Sequence, residues 1–365
     1  MTKEIDGYVT DLPRGCITET DIYTDKGVLL CPMMTIIDAK MLESLSQYKG
    51  KIHAIISYEG QDEPKETEDI DEEPEADNSI GFEDSFKQYA EESLTSLYSN
   101  VDDVKTLTGG MREISNKVCS VIDDSKELFI NLAKLKVSDE YTYKHSVDVG
   151  TMAAVLAKAL GENDKFVHDI TIAGLLHDVG KEKVPSEIIN KPAKLTEEEF
   201  EVIKTHPVHG YRLLMTSRDV SEDMRQGILN HHENIDGTGY PRGLMADKIG
   251  KMGQIITIVD VYDALVTKRS YKEGKTPAQA IEIMFTMSNK FNMEYFKAFL
   301  SVVTPFPNGV KVRLSNGEEA IVLHQNRSYP LRPTIKITGE NSRIINLSCD
   351  LSYLSTVITE IIIEE

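Results

Sequence analysis

Histidines are unevenly distributed along this chain, and their clustering limits what the chain can fold into. The 365 residues include nine histidines, and seven of these lie between residues 145 and 232, less than a quarter of the length. The surrounding segments carry apolar residues at helical spacing, which predicts a mostly helical region over residues 82–300. Because imidazole is a frequent metal ligand, a histidine cluster in such a region indicates a metal site.

His177 and Asp178 directly follow an apolar helical run over residues 170–176. This arrangement brings a ring nitrogen and a carboxylate to one point, and the two oxygens of a carboxylate can bridge a pair of metal ions. Gly180 removes a side chain where another group must approach closely. Lys181 supplies a positive charge suited to a phosphate oxygen.

A second pair, His231 and His232, precedes a loop that is rich in turn-forming residues. Asp260 lies in an apolar helical segment over residues 255–265, where an unpaired carboxylate would be costly. We therefore expect Asp260 to be paired or bound to a metal. Asp263 lies one turn further along the same helix face and is predicted to accept a hydrogen bond near the site.

Two motifs carry a family resemblance, and they read HDVGK at residues 177–181 and HHENIDGTGYP at residues 231–241. In this order and at this separation they resemble the HD-GYP family. Its members are metal-dependent phosphodiesterases of the HD superfamily that degrade bacterial cyclic dinucleotides. The resemblance covers residues 136–300, and residues 12–57 are similar to the small domain that often precedes HD-GYP domains.

The resemblance implies seven metal ligands and a set of residues that contact the substrate. The implied ligands are His145, His177, Asp178, His206, His231, His232 and Asp260. The implied substrate contacts are Lys181, Arg269 and Lys272, with Tyr240 as a fourth candidate for which a rigid stop of the loop is an equal explanation. The implied catalytic residues are Asp178 and Lys181.

The ligands are expected to hold two divalent metal ions. One ion would be bound by His145, His177 and Asp260, and the second by His206 and His231. Asp178 would bridge the two ions. His232 would ligate the second ion or lie close to it. Tyr141 stands where some family members carry a glutamate that recruits a third metal, so two ions are expected. A mostly imidazole ligand set favours iron or manganese.

The implied function is hydrolysis of cyclic di-GMP to a linear dinucleotide, or further to GMP, by a hydroxide shared between the two metals. Three alternatives stay open: a phosphodiesterase for another cyclic dinucleotide such as cyclic GMP-AMP, a non-catalytic module that binds the dinucleotide or a GGDEF-type protein, and an HD-type nucleotidase. The full ligand set weighs against the non-catalytic module, and the second histidine pair weighs against the nucleotidase. The expected partners are a cyclic dinucleotide and a GGDEF-type protein, and a homodimer is left open.

The fold class expected is mainly α, with an HD-superfamily helical bundle, a small α+β domain before it and a β-rich tail after it. The predicted divisions are a β-rich regulatory domain (1–58), an acidic disordered linker (59–81), connecting helices (82–135), the catalytic domain (136–304) and a β-rich subdomain (305–365). Helices are predicted over residues 36–48, 82–98, 118–135, 147–160 and 196–215. Strands are predicted over residues 27–32, 51–57, 310–314 and 320–323.

The chain carries a formal net charge of −20, and residues 59–77 contribute half of it with eleven acidic residues and one lysine. Such a segment has little to bury, which predicts the linker. The global charge weighs against DNA and membranes as partners, but metals and Lys181 would make the site itself positive. The charged start, the scattered cysteines and the lack of a long apolar run predict a cytoplasmic protein.

Overall fold

The computed structural model describes residues 2–57, 73–130, 143–267 and 274–362, with short gaps inside the first two ranges and at residues 192 and 340–341. The chain divides into two compact units, Met1–Glu73 and Pro74–Glu365. Nearly all of the predicted acidic linker and most of the predicted helix over residues 36–48 lie outside the described residues.

The first unit is built on a three-stranded antiparallel sheet in the order β1-β5-β2. Its strands and those of a separate antiparallel pair are β1 (Thr2–Tyr8), β2 (Ile17–Thr18), β3 (Ile22–Tyr23), β4 (Leu29–Cys31) and β5 (Lys51–Ser57). The predicted strand over residues 51–57 is confirmed, and Ile52, Ala54 and Ile56 alternate into the core. Strand β1, in which three of the seven residues are charged, was not predicted; it pairs along the whole length of β5.

The second unit is mainly helical, so the predicted fold class is confirmed. Its helices are α1 (Asp84–Tyr98), α2 (Val104–Asp124), α3 (Tyr143–Ala159), α4 (Asp164–Leu176), α5 (Ser186–Ile189), α6 (Glu197–Ile203), α7 (His206–Leu214), α8 (Glu222–Asn230), α9 (Lys251–Val266), α10 (Pro277–Thr286) and α11 (Met293–Val302). Helix α2 begins well before the predicted start at residue 118, because Asp103 caps it by accepting a hydrogen bond from the Thr106 amide.

Helices α3 and α4 pack closely at the centre of the bundle. A Cβ atom on Gly174 would lie 2.6 Å from the Cα of Gly150, so these helices can approach this closely only because both positions are glycine. Tyr98 of α1 donates a hydrogen bond to the carbonyl of Leu175 at 2.6 Å. This packing brings His145, in the first turn of α3, beside the C-terminal end of α4.

The prediction of one helix over residues 196–215 is wrong, because α6 and α7 are separate helices. Helix α6 begins with the expected capping box, in which Thr196 and Glu199 each accept a hydrogen bond from the other's backbone amide. Helix α7 begins at His206 with Pro207 in its first turn. Proline has no amide hydrogen and its ring clashes inside a helix, so the first helix ends before Pro207 and a new helix begins there.

A five-stranded antiparallel sheet follows the helices, in the order β10-β6-β7-β8-β9. Its strands are β6 (Lys311–Leu314), β7 (Glu319–His324), β8 (Thr334–Ile337), β9 (Ile344–Asn346) and β10 (Ile358–Ile362). The two predicted strands are confirmed as β6 and β7, and Gly317 makes the turn between them with a φ of 88°. None of the described helices combines the length and the apolar run that crossing a bilayer requires.

Candidate metal centre

Three helix ends meet at the histidine cluster, and each presents one imidazole. His177 follows α4, His206 lies just after α6, and His231 follows α8. The Nδ1 atom of each ring lies 2.6–2.7 Å from the carbonyl oxygen three residues earlier. Because a carbonyl only accepts, each Nδ1 carries the hydrogen and each Nε2 keeps a lone pair for a metal.

The first ligand group consists of His145, His177 and Asp260, whose donor atoms lie within 4.8 Å of one another. The Nε2 of His145 is 3.2 Å from the Nε2 of His177 and 3.1 Å from Oδ1 of Asp260. Asp260 is nearly buried in α9, and it is paired as its apolar setting predicted. The members come from α3, the end of α4 and α9, so the group exists only when these helices are packed.

Asp263 fixes the orientation of His145. Its carboxylate is fully buried, and Oδ2 lies 2.6 Å from Nδ1 of His145. The same oxygen accepts a hydrogen bond from the Thr267 hydroxyl at 3.1 Å. The hydrogen bond predicted for Asp263 is therefore present, and it leaves Nε2 of His145 facing the first group.

The second ligand group consists of Asp178, His206, His231 and His232, again with donor atoms within 4.8 Å of one another. The Nε2 atoms of His206 and His231 are 3.2 Å apart. His232 stacks beside His231 with ring centroids 4.0 Å apart. Its Nδ1 also lies 3.6 Å from Asp260, so His232 faces both groups.

Asp178 lies between the two groups and presents one oxygen to each. Oδ2 is 3.3 Å from Nε2 of His177 in the first group. Oδ1 is 3.2 Å from Nε2 of His206 and 3.9 Å from Nε2 of His231 in the second. A carboxylate placed in this way can bridge two cations.

The donor set fits cations better than it fits hydrogen bonding within the protein. The facing Nε2 atoms of His206 and His231 both carry lone pairs, which repel at 3.2 Å unless a positive charge lies beside them. Oδ1 of Asp178 is buried and has no hydrogen-bond partner. A buried acceptor without a partner costs free energy that a bound cation would remove.

The pKa values of the buried groups agree with this assignment. Burial, assisted by the neighbouring histidines, lowers the pKa of His231 well below its usual value, and burial lowers the pKa of His232 to about 3. These rings are neutral at neutral pH and can ligate a metal. Burial alone would raise the pKa of Asp178, but the charges of His177 and Lys181 hold it well below its usual value.

His145 behaves differently from the other rings. Burial disfavours its charged form, but hydrogen bonds to Asp260 and Asp263 outweigh burial and raise the pKa of His145 to about 10. The two carboxylates therefore favour a positive charge at this point, whether a proton or a metal carries it.

Gly180 lets a short 3-10 helix over Val179–Lys183 contact the start of α7. A Cβ atom on Gly180 would lie 1.9 Å from the carbonyl oxygen of His206 and 2.5 Å from the amide nitrogen of Gly210. The close approach expected from the sequence is therefore to the backbone that carries a histidine of the second group. Lys181, which follows, is hydrogen-bonded to Asp178 and is partly exposed beside the site.

The loop after His232 is held in place by Glu233. Glu233 is buried and accepts hydrogen bonds from the amides of Arg242 and Leu244 at 2.7 and 2.9 Å. Gly239 lies so close to the backbone of Glu233 that a Cβ would be 2.4 Å from its Cα. The loop therefore places Tyr240 over His232, with ring centroids 4.6 Å apart.

Three predicted positions cannot be placed, because Tyr141, Arg269 and Lys272 lie outside the described residues. One supporting residue was missed by the sequence analysis. Thr257 of α9 is buried and donates to the carbonyls of His231 at 2.8 Å and Gly253 at 2.8 Å. Its position one turn before Asp260 on an apolar helix is the signal that could have found it.

Comparison with known proteins finds similarity to an HD domain and to cyclic-dinucleotide phosphodiesterases. The family model described as an HD domain matches residues 118–294. A cyclic di-GMP phosphodiesterase from Pseudomonas aeruginosa is 43% identical over 208 residues, which cover 57% of this chain and 50% of that protein. A 3′3′-cGAMP-specific phosphodiesterase from Vibrio cholerae is 30% identical, over 63% of this chain and 44% of that protein. The chain thus spans about half the length of the curated relatives it matches.

A solved structure of an HDG"Y"P protein from Bdellovibrio bacteriovorus aligns with a TM-score of 0.48 and 18% identity, covering 81% of this chain and 98% of that one. The family model covers both sequence motifs and both ligand groups. Residues 118–294 therefore match an HD domain, and both HD-GYP motifs of the sequence lie within this stretch.

Proposed function

We propose that this chain is a metal-dependent phosphodiesterase that hydrolyses cyclic di-GMP to a linear dinucleotide. The observation that carries the proposal is the pair of ligand groups joined by Asp178, with Lys181 and Tyr240 beside them. The 43% identity to a cyclic di-GMP phosphodiesterase over the same region supports the choice of substrate. Chromatography of the products distinguishes the linear dinucleotide from GMP.

Two divalent metals are proposed, one in each ligand group. The first group would hold its metal with His145, His177 and Asp260, and the second with His206, His231 and His232, while Asp178 would bridge. Five imidazoles and two carboxylates favour iron or manganese over magnesium or calcium. When bound, such ions lower the pKa of water and neutralise charge on a phosphodiester.

The residues of the chain position the reactants. Lys181 is hydrogen-bonded to Asp178, so its ammonium both orients that carboxylate and offers a positive charge to a phosphate oxygen. Tyr240 covers His232 and limits access of water from that side. Arg269 and Lys272 are proposed, from the family resemblance, to hold the phosphates as well.

Cyclic GMP-AMP is the alternative substrate, because a relative specific for 3′3′-cGAMP matches 63% of the chain. The two substrates share the phosphodiester linkages and differ in one base, so the metal centre does not distinguish them. The GGDEF-type protein partner stays a prediction from the resemblance, and a homodimer stays open.

The test is to purify the protein without oxygen, measure bound iron and manganese, and follow cyclic di-GMP and cyclic GMP-AMP by chromatography. We expect about two metals per chain and faster hydrolysis of cyclic di-GMP. Asp178→Asn should lose metal and activity, because it removes the bridging charge at nearly unchanged size. Asp169→Asn is the matched control, since Asp169 pairs with Lys165 at the surface of the same domain.

Metal-loaded protein that hydrolyses neither dinucleotide would contradict the proposal. Preference for cyclic GMP-AMP would favour the alternative substrate. Three metals per chain would contradict the inference drawn from Tyr141.

A further inference from the structure

An exposed aromatic residue beside the metal centre is used by neither the ligand groups nor the core. Phe200 of α6 is 44% exposed. Its ring lies at right angles to Tyr240, with centroids 6.4 Å apart and an interplanar angle of 77°. The ammonium of Lys204 lies over the same ring, 4.9 Å from its centroid.

Phe200 is close to the ligands without touching them. Tyr240, its neighbour, stacks on His232 at 4.6 Å and lies 6.5 Å from His206. The aromatic surface therefore runs outward from the second ligand group through Tyr240 to Phe200. A phosphate held at the metals would leave its attached nucleoside within reach of this surface.

The charges around Phe200 indicate which part of a nucleotide it suits. Helix α6 carries four glutamates, at positions 197, 198, 199 and 201. The ammonium of Lys204, which lies over the Phe200 ring, is paired with Glu201 at 2.6 Å. Such a surface does not attract a second phosphate, but an aromatic face is favourable for an uncharged base.

We propose that Phe200, flanked by Tyr240 and Lys204, is a stacking platform for one nucleobase of the cyclic dinucleotide. This inference rests on the proposed function and adds a substrate-binding residue that neither motif contains. Because Phe200 does not touch the ligands, it acts on substrate affinity and not on the chemical step.

The test compares Phe200→Ala with Phe285→Ala in the full-length, metal-loaded protein. Phe285 is a matched control, because it is a phenylalanine 48% exposed on another helix, α10, where it packs against Phe296. Loss of one stacked base should raise the KM for cyclic di-GMP by roughly 5- to 150-fold, with a much smaller change in kcat. Phe200→Tyr should restore the KM, and Phe285→Ala should leave it unchanged.

An unchanged KM in Phe200→Ala, with wild-type protein active on cyclic di-GMP, would overturn the platform and leave the proposed function standing. Failure of Phe200→Tyr to restore the KM would also overturn it, since the aromatic ring would then not be what matters. Wild-type protein that is inactive on cyclic di-GMP despite bound metal would instead overturn the proposed function, and the platform with it.

Discussion

At the scale of single residues, the candidate centre depends on side chains that aim the ligands. Asp263 accepts from Nδ1 of His145 at 2.6 Å, so the ring can present only Nε2 to the first group. The helix carbonyls do the same for His177, His206 and His231. In each of these four rings, the hydrogen bond to Nδ1 leaves Nε2 as the nitrogen that can bind a metal.

Asp263→Asn should weaken metal binding at the first group by about 10- to 100-fold, the usual effect of losing such a partner. Asparagine keeps the shape but removes the charge that holds the imidazole hydrogen. Metal titration with equilibrium dialysis measures the change, with the surface variant Asp169→Asn as the control. Equal affinity in the two variants would contradict the orienting role.

At the scale of elements, the second group depends on how tightly the 3-10 helix at Val179–Lys183 packs against α7. Gly180 is the point of contact, and the carbonyl of His206 occupies the space that any side chain would need. Strain here would move His206 directly, because the ligand and the contacted carbonyl belong to one residue.

Gly180→Ala should lower the midpoint of thermal unfolding and the metal content of the second group, because the added Cβ would be 1.9 Å from a backbone oxygen. Gly109→Ala is the matched control. Gly109 lies within α2 with no heavy atom within 4 Å of an added Cβ, so this substitution should stabilise by about 0.5–1 kcal/mol. Calorimetry and metal analysis report the two effects, and a Gly180→Ala protein as stable as wild type would refute the packing argument.

The sequence predicted the elements that have strong local signals. Strand β5 alternates cleanly, and the turn at Gly317 needs a residue tolerant of positive φ. It could not predict strand β1, whose charged residues are extended only because β5 lies beside them. It also joined α6 to α7, because the predicted helix was continued through Pro207, which in fact interrupts it.

The candidate site was predictable to a similar degree. Adjacent His-Asp and His-His pairs are visible in the chain, and so is a carboxylate in an apolar helix. The role of Glu233 was not, because its partners are the amides of Arg242 and Leu244, and the path of a loop leaves no periodic pattern. Phe200 was missed for the same reason, since its neighbour Tyr240 is far away in the sequence.

At the scale of the whole molecule, the centre gathers ligands from residue 145 to residue 260, across most of the helical bundle. Only the folded chain brings them together, so a metal that binds the folded form raises the free energy of unfolding.

Manganese added at about 100 times its dissociation constant should stabilise the protein by about 2.7 kcal/mol. For a domain of this size, that corresponds to a rise of about 5–10 °C in the unfolding midpoint. Scanning calorimetry with and without a chelator measures the shift. Asp178→Asn should show little of it, and an equal shift in that variant would place the stabilising metal elsewhere.

The C-termini of three helices lie at the centre, and their partial charges affect the binding of charged ligands. Helix C-termini carry partial negative charge, so α4, α6 and α8 add to the two carboxylates. Bound metals would offset this negative charge and, under the proposed function, would favour binding of an anionic dinucleotide. Metal and substrate would then be thermodynamically coupled: each would tighten the binding of the other by the same factor, and nucleotide concentration would help to set how much of the protein holds metal.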